Sequence, residues 1–233
     1  METHIIKADN LEKRFDHFRA LKDVSVFLSE GEILGITGPN GSGKTTLINI
    51  ISGLLRPDGG KIYYRGEEIG GLPMEEFVRL GIARTFQIPL TFPGFKVMDC
   101  IRLAASRTAR RGKELEEYVA NIMERTGIEN QGNLLGSKLS QGSLRRLELA
   151  RALATDPHVL LLDEIFSALS LTDQQEMEKL VMRLNRDRGI SFIIVSHNLM
   201  MIEELCQRAL VIDHGKVIYQ GEPTSARNAV LDG

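Results

Sequence analysis

The sequence predicts an α/β fold. A parallel sheet alternates with helices, antiparallel strands precede it, and a helical segment is inserted between two of its strands. Three observations predict this. Short apolar runs at residues 32–37 (EILGIT), 159–163 (VLLLD) and 191–196 (SFIIVS) have the length and composition of buried central strands. Helix-periodic segments follow them, at residues 45–54, 173–188 and 199–206. The glycine turn between the first run and its helix, residues 38–45 (GPNGSGKT), fits the pattern G-x-x-x-x-G-K-[ST].

Each element has its own signal. Ile5, Ile6, Ala8 and Leu11 lead to a turn near Asp16, and Leu21, Val24, Val26 and Leu28 alternate with polar neighbours. These strands place an antiparallel sheet beside the first parallel strand. After the glycine turn and its helix comes Pro57-Asp58-Gly59-Gly60, a turn, and then a strand pair at residues 61–69. Residues 74–80 read as a short helix and 81–87 (GIARTFQ) as a strand that stops at Pro89 and Pro93. Residues 95–136 carry a helical pattern, and 144–154 form a second amphipathic helix. Arg107, Arg110, Arg111 and Lys113 cluster inside this lobe, as at a solvated helix end or loop, with a docking surface as the alternative. Residues 209–213 and 216–220 flank His214-Gly215 as a hairpin.

A glycine turn between a buried strand and a helix is a phosphate cradle. Gly41 and Gly43 let the backbone turn sharply and bring N–H groups to phosphate oxygens. The helix N-terminus adds partial positive charge. Lys44 reaches the β- and γ-phosphates, and the Thr45 hydroxyl holds Mg²⁺. Gly38, Pro39, Asn40, Ser42 and Thr46 complete the cradle.

Bulk properties exclude other classes. The chain has 233 residues and a formal net charge of −2, which argues against general nucleic-acid affinity. Cys100 and Cys206 form no C-x-x-C pair, so a zinc site is not expected and reduced thiols are. The first residues, METHIIKADN, carry no signal-peptide core. No apolar run approaches the roughly 18 residues that span a bilayer.

Further candidates lie at strand ends. Asp163 and Glu164 close the run VLLLD, where the first acid can organise a metal shell and the second can act as general base. The Gln87 amide can ligand Mg²⁺ or the attacking water, and His197 can contact a γ-phosphate. Phe15 can stack on an adenine ring. Taken singly, these residues read as solvated acids, a surface amide, a structural histidine and a core aromatic. The upstream cradle favours the catalytic reading.

In order and spacing, Phe15, GPNGSGKT, Gln87, LSQGS at residues 139–143, VLLLDE and His197 resemble the A-loop, Walker A, Q-loop, signature, Walker B and H-loop of ABC transporter ATPase subunits. The resemblance covers nearly the whole chain. Residues 81–93 (GIARTFQIPLTFP) and LRRLELARAL from Leu144 look most like the branched-chain amino-acid importer branch, with urea-importer and lipopolysaccharide-exporter ATPases close in pattern. It implies one P-loop ATPase domain over residues 1–233, with a helical subdomain at about 95–150. It implies ATP and Mg²⁺ as cofactors and a head-to-tail pair of ATPase subunits, identical or not. Ser140, Gln141 and Gly142 would touch the nucleotide held by the partner. Two membrane permease subunits, and indirectly a solute-binding protein, are the expected partners, with no nucleic acid. The expected location is cytoplasmic, peripheral on the inner face of the membrane. Import of branched-chain or related hydrophobic amino acids is the expected task. Lipopolysaccharide or other lipid export, urea import, and a soluble ATPase acting on nucleic acid or ribosomes are the alternatives. The single P-loop and the mildly acidic balance weigh against the last.

The sequence departs from the family pattern in three places. The signature LSGGQ is LSQGS, the proline after Glu164 is Ile165, and the D-loop SALD is SALS with Ser170 last. Groups acting on the chain's own ATP are intact, while the signature and D-loop are donated to the partner's site. The expectation is a strong site in cis and a weak one completed in trans; neutral drift is the alternative.

Overall fold

The computed structural model describes residues 4–86 and 94–231. β1 (His4–Phe15) and β2 (Phe18–Ser29) form a long antiparallel hairpin closed by Asp16-His17. β3 (Ile33–Thr37) is buried throughout and leads through the glycine turn into α1 (Lys44–Ile51). That helix ends three residues before Leu54, where the Leu54 and Leu55 amides turn back to the Asn49 carbonyl. β4 (Gly59–Tyr64) and β5 (Glu67–Glu68) follow. Gly59 and Gly60 thus open a strand rather than close a turn, because β1 reaches far enough for Glu12 to pair with Gly59. α2 (Met74–Arg79) leads to β6 (Ile82–Arg84), which has only three residues of the expected 81–87 run.

Helices then occupy the interval between two neighbouring strands. α3 (Val97–Ala105) and α4 (Gly112–Thr126) pack on α5 (Gln141–Leu153). Two short 3₁₀ turns, Glu129–Gln131 and Gly136–Lys138, connect them. The basic cluster sits on the exposed α3–α4 connection, where Arg110 donates to Asp156 at 2.9 Å and covers the Tyr118 ring. β7 (Val159–Asp163), α6 (Leu171–Arg188), β8 (Ser191–Val195), α7 (Leu199–Leu205), β9 (Arg208–Asp213), β10 (Lys216–Gly221) and α8 (Pro223–Leu231) complete the chain. α5 and α6 begin earlier than their periodicity suggests, because Ser140 and Ser170 cap them by accepting from the Ser143 and Asp173 amides. α8 has no counterpart in the sequence reading.

Two sheets result. The four-stranded sheet runs β2-β1-β4-β5, and the six-stranded sheet runs β10-β9-β3-β8-β7-β6. In the larger sheet every pair but β10–β9 is parallel. Period-two alternation splits its side chains between two cores. Leu34, Ile36, Leu161, Ile193 and Val195 face the antiparallel sheet and α1. Leu160, Leu162, Phe192 and Ile194 face α5, α6 and α7. Each fully buried Leu, Ile or Phe contributes about 1.5–3 kcal/mol, so both faces hold the strand ends firmly. No helix among the described residues is long and apolar enough to cross a membrane.

Both cysteines are buried. Burial pushes the Cys206 thiol up to about 12. The native protein is therefore expected to resist a disulfide reagent at neutral pH and to react at both thiols once unfolded. Rapid reaction of the native chain would contradict this packing.

Candidate functional site

The site begins where β3 stops. The backbone passes through Gly38 at φ 140 and Gly43 at φ 112, and a Cβ at Gly38 would overlap the Ile212 carbonyl. Gly43 is the N-cap of α1 and offers no side-chain oxygen to the first turn. That end of the helix is left for an anion. Lys44 is buried, and its ammonium donates to the Gly38 carbonyl at 2.8 Å and the Pro39 carbonyl at 2.7 Å. Burial lowers its pKa, while Glu164 and Asp163 pull the other way. Ser42 Oγ is buried with no hydrogen-bond partner.

Both acids arrive from the end of β7, with β8 between it and β3. Asp163 pairs in register with Val195, so the ends of β7 and β8 lie side by side, one strand from β3. Ligand sites form at such carboxyl ends. Asp163 is 1 % exposed; burial pushes its carboxyl up, and the Arg84 guanidinium opposes the shift. Its Oδ2 accepts from Arg84 Nη2 at 3.3 Å, and its Oδ1 is buried without a partner. Glu164 adopts φ 51, a left-handed conformation that a non-glycine residue rarely takes. Its amide donates to the Val195 carbonyl at 3.1 Å, which holds that conformation. Its carboxylate lies 3.2 Å from His197 Nδ1, and the His197 ring is otherwise open to solvent.

Lys44 and Glu164 line a cavity of about 260 Å³, bounded by residues 40–46, Glu164, Val195, Phe15, Phe18 and Ala20, while Asp163 and His197 lie beside it through their contacts with Arg84 and Glu164. Phe15 is the last residue of β1, and at 44 % exposure it belongs to the rim, not the core. Its partner Phe18 was not legible as a site residue. Thr45 is exposed and Thr46 half-buried at the start of α1. A roomier cleft of about 710 Å³ lies between α2 and the α3–α4 connection, but it shares no lining residue with the cradle.

Ser140, Gln141 and Gly142 do not line the cavity in the same chain. They form the cap and first turn of α5, and a Cβ on Gly142 would lie 2.8 Å from Asp173 Oδ1 on α6. Two of the three departures, at Ser143 and Ser170, are accommodated locally. Ser143 lies 3.1 Å from the Ser140 hydroxyl, and Ser170 caps α6 while donating to Asp173 at 2.7 Å. Gln87 lies outside the described residues. Sequence reasoning missed Arg84, whose signal was a charge inside a buried strand, and Asp173, which had none.

A glycine cradle, an ammonium and paired acids at the end of a nearby parallel strand define a nucleoside-triphosphate site of the P-loop class. A family profile described as "ABC transporter" matches residues 21–167. The branched-chain amino acid transport ATP-binding protein LivG of Salmonella typhimurium is 30% identical over 98% of this chain and 95% of its own length. The lipopolysaccharide export ATP-binding protein LptB of Acidithiobacillus ferridurans is 34% identical over 95% of this chain and 91% of its own. Among solved structures, the ADP conformation of MJ1267, an ATP-binding cassette of an ABC transporter, matches with TM-score 0.90 and 27% identity, covering 98% of this chain and 97% of that one. The post-hydrolysis dimer of the cassette MJ0796, bound to ADP and Pi, matches with TM-score 0.85 and 27% identity, covering 94% and 98%. The chain belongs to the ABC transporter family as its ATP-binding, ATP-hydrolysing subunit.

Proposed function

We propose that this chain powers uptake of branched-chain or related hydrophobic amino acids through two membrane permease subunits, fed by a solute-binding protein. It works as one of a pair of ATPase subunits, peripheral on the cytoplasmic face of the membrane. The observation that carries the catalytic part is the meeting of Lys44, Asp163, Glu164 and His197 at the ends of three neighbouring strands. Lys44 releases the loop carbonyls and takes the β- and γ-phosphates. Glu164, already oriented by its backbone, accepts the proton of the attacking water. His197 contacts the γ-phosphate, and Phe15 stacks on the adenine from the rim. The unpartnered Asp163 Oδ1 fits a cation shell, with Thr45 and Gln87 as further donors. Mg²⁺ bound there would neutralise charge on the β- and γ-oxygens.

The cargo reading is supported by the full-length likeness to LivG and by the segment at 81–93. The likeness to LptB, at comparable identity, supports lipid export as the second reading. Purification of the intact complex decides between them. Turnover stimulated by a solute-binding protein loaded with leucine or isoleucine is expected. Stimulation by lipopolysaccharide instead would transfer the chain to the second reading.

The asymmetry expected from the signature and D-loop has its own test. Ser143→Gln with Ser170→Asp keeps a side-chain N-cap on α6 but gives up the Ser170–Asp173 hydrogen bond, so the folded state of the variant is checked by its thermal unfolding. Turnover of the reconstituted complex is expected to rise about three- to tenfold, roughly 1 kcal/mol of barrier. Unchanged turnover would mean that both departures are neutral.

A further inference from the structure

Arg84 is the charge near the site that the proposed chemistry leaves unused. It ends β6, an edge strand, yet its side chain is 4 % exposed. A buried guanidinium needs partners for its donors. Nη2 donates to Asp163 Oδ2 at 3.3 Å. Nη1 donates to Asn49 Oδ1 at 2.6 Å and to Ser52 Oγ at 3.1 Å. Nε donates to the Thr85 carbonyl at 3.3 Å, and the Phe86 ring lies 4.7 Å from the guanidinium carbon. Asn49 lies in α1, and Ser52 is that helix's C-cap. One planar group therefore joins the far end of the Lys44 helix, the end of β6 and the acid that ends β7.

Stability does not account for this arrangement. A buried ion pair is often no more stabilising than an apolar pair of the same volume. Orientation accounts for it better. Arg84 engages one oxygen of Asp163 and leaves the other buried and unpartnered. We propose that Arg84 is a positioning residue for ATP hydrolysis: it pins Asp163 Oδ2, so that Oδ1 is presented to the cation of the bound nucleotide. Through Asn49 and Ser52 it also fixes that carboxylate relative to the helix that starts with Lys44. The inference rests on the reading of Asp163 as a cation-shell acid. Lysine is a poor substitute, because a single ammonium lacks the fork that spans Asp163, Asn49 and Ser52 at once.

Mn²⁺ is the probe, with its affinity for the ATP-loaded full chain read by electron paramagnetic resonance. Arg84→Met and Arg84→Lys are each expected to weaken Mn²⁺ binding about tenfold, the lower range for groups that orient a metal ligand. ATP affinity in the presence of EDTA is expected to stay within about twofold, because Lys44 and the loop amides are untouched. Asn49→Ala, which loosens Arg84 without reaching Asp163, gives a smaller loss in the same direction. If Arg84→Met fails to fold, Arg84→Lys and Asn49→Ala carry the test. Mn²⁺ affinity within about twofold of the parent in the folded variants overturns the inference. Equal losses of Mn²⁺ and metal-free ATP affinity also overturn it, since the damage is then to the nucleotide cradle. Asp163→Asn separates the two levels. If it too retains Mn²⁺ affinity, the assignment of Asp163 fails; if it loses that affinity while the Arg84 variants keep it, only the role of Arg84 fails.

Discussion

Lys44→Ala is expected to raise the ATP dissociation constant about 10²–10³-fold and to remove measurable turnover. The estimate follows from deleting one partner of a desolvated charge contact, which is worth about 2–5 kcal/mol. The ammonium is buried and held by two loop carbonyls, so the substitution removes both the cation and the brace that shapes the loop. Lys44→Arg separates the two effects. It keeps the charge but demands more room than a side chain that is 8 % exposed has available. Titration with a fluorescent nucleotide, alongside phosphate release, measures both quantities. Undiminished affinity and turnover in Lys44→Ala would refute the phosphate cradle as the seat of binding.

The second large effect concerns Glu164. Glu164→Gln preserves shape and the contact with His197 but cannot accept a proton. Turnover is expected to fall about 10²–10⁴-fold, the usual contribution of a placed general base, while ATP affinity stays within about threefold. Phosphate release under single-turnover conditions isolates the chemical step. If the amide variant turns over at the parent rate, water activation belongs to another group. If ATP affinity collapses with it, Glu164 is holding the loop rather than acting on water.

Much of this was legible in the residues. The cradle, the acid pair and the three central strands could be read because each is a contiguous segment with a strong local signal. The antiparallel strands were legible from alternation, although their order, β2-β1-β4-β5, depends on pairings distant in sequence. What escaped was tertiary. Phe18 reaches the rim because it pairs with Phe15 across a two-residue turn. Arg84 reads as an interruption of a strand until Asn49, Ser52 and Asp163 converge on it. The starts of α5 and α6 were misplaced by two or three residues because serine caps decide them, and serine is too common to flag a cap. Cargo identity is illegible for a different reason: an ATPase subunit contacts permeases, not cargo.

The cradle is fastened from behind. The Gly215 amide donates to the Ser42 carbonyl at 2.9 Å, and the Lys22 amide donates to the Gly215 carbonyl at 2.8 Å. A Cβ on Gly43 or on Gly215 would come within 2.6 Å of the Ala20 carbonyl. The β9–β10 turn and β2 therefore act as a mould that keeps the loop in its receiving shape before any triphosphate arrives. Little entropy remains to be lost on docking. A side chain forced into the His214–Gly215 corner would touch no phosphate, yet it would register in a titration as a weaker grip.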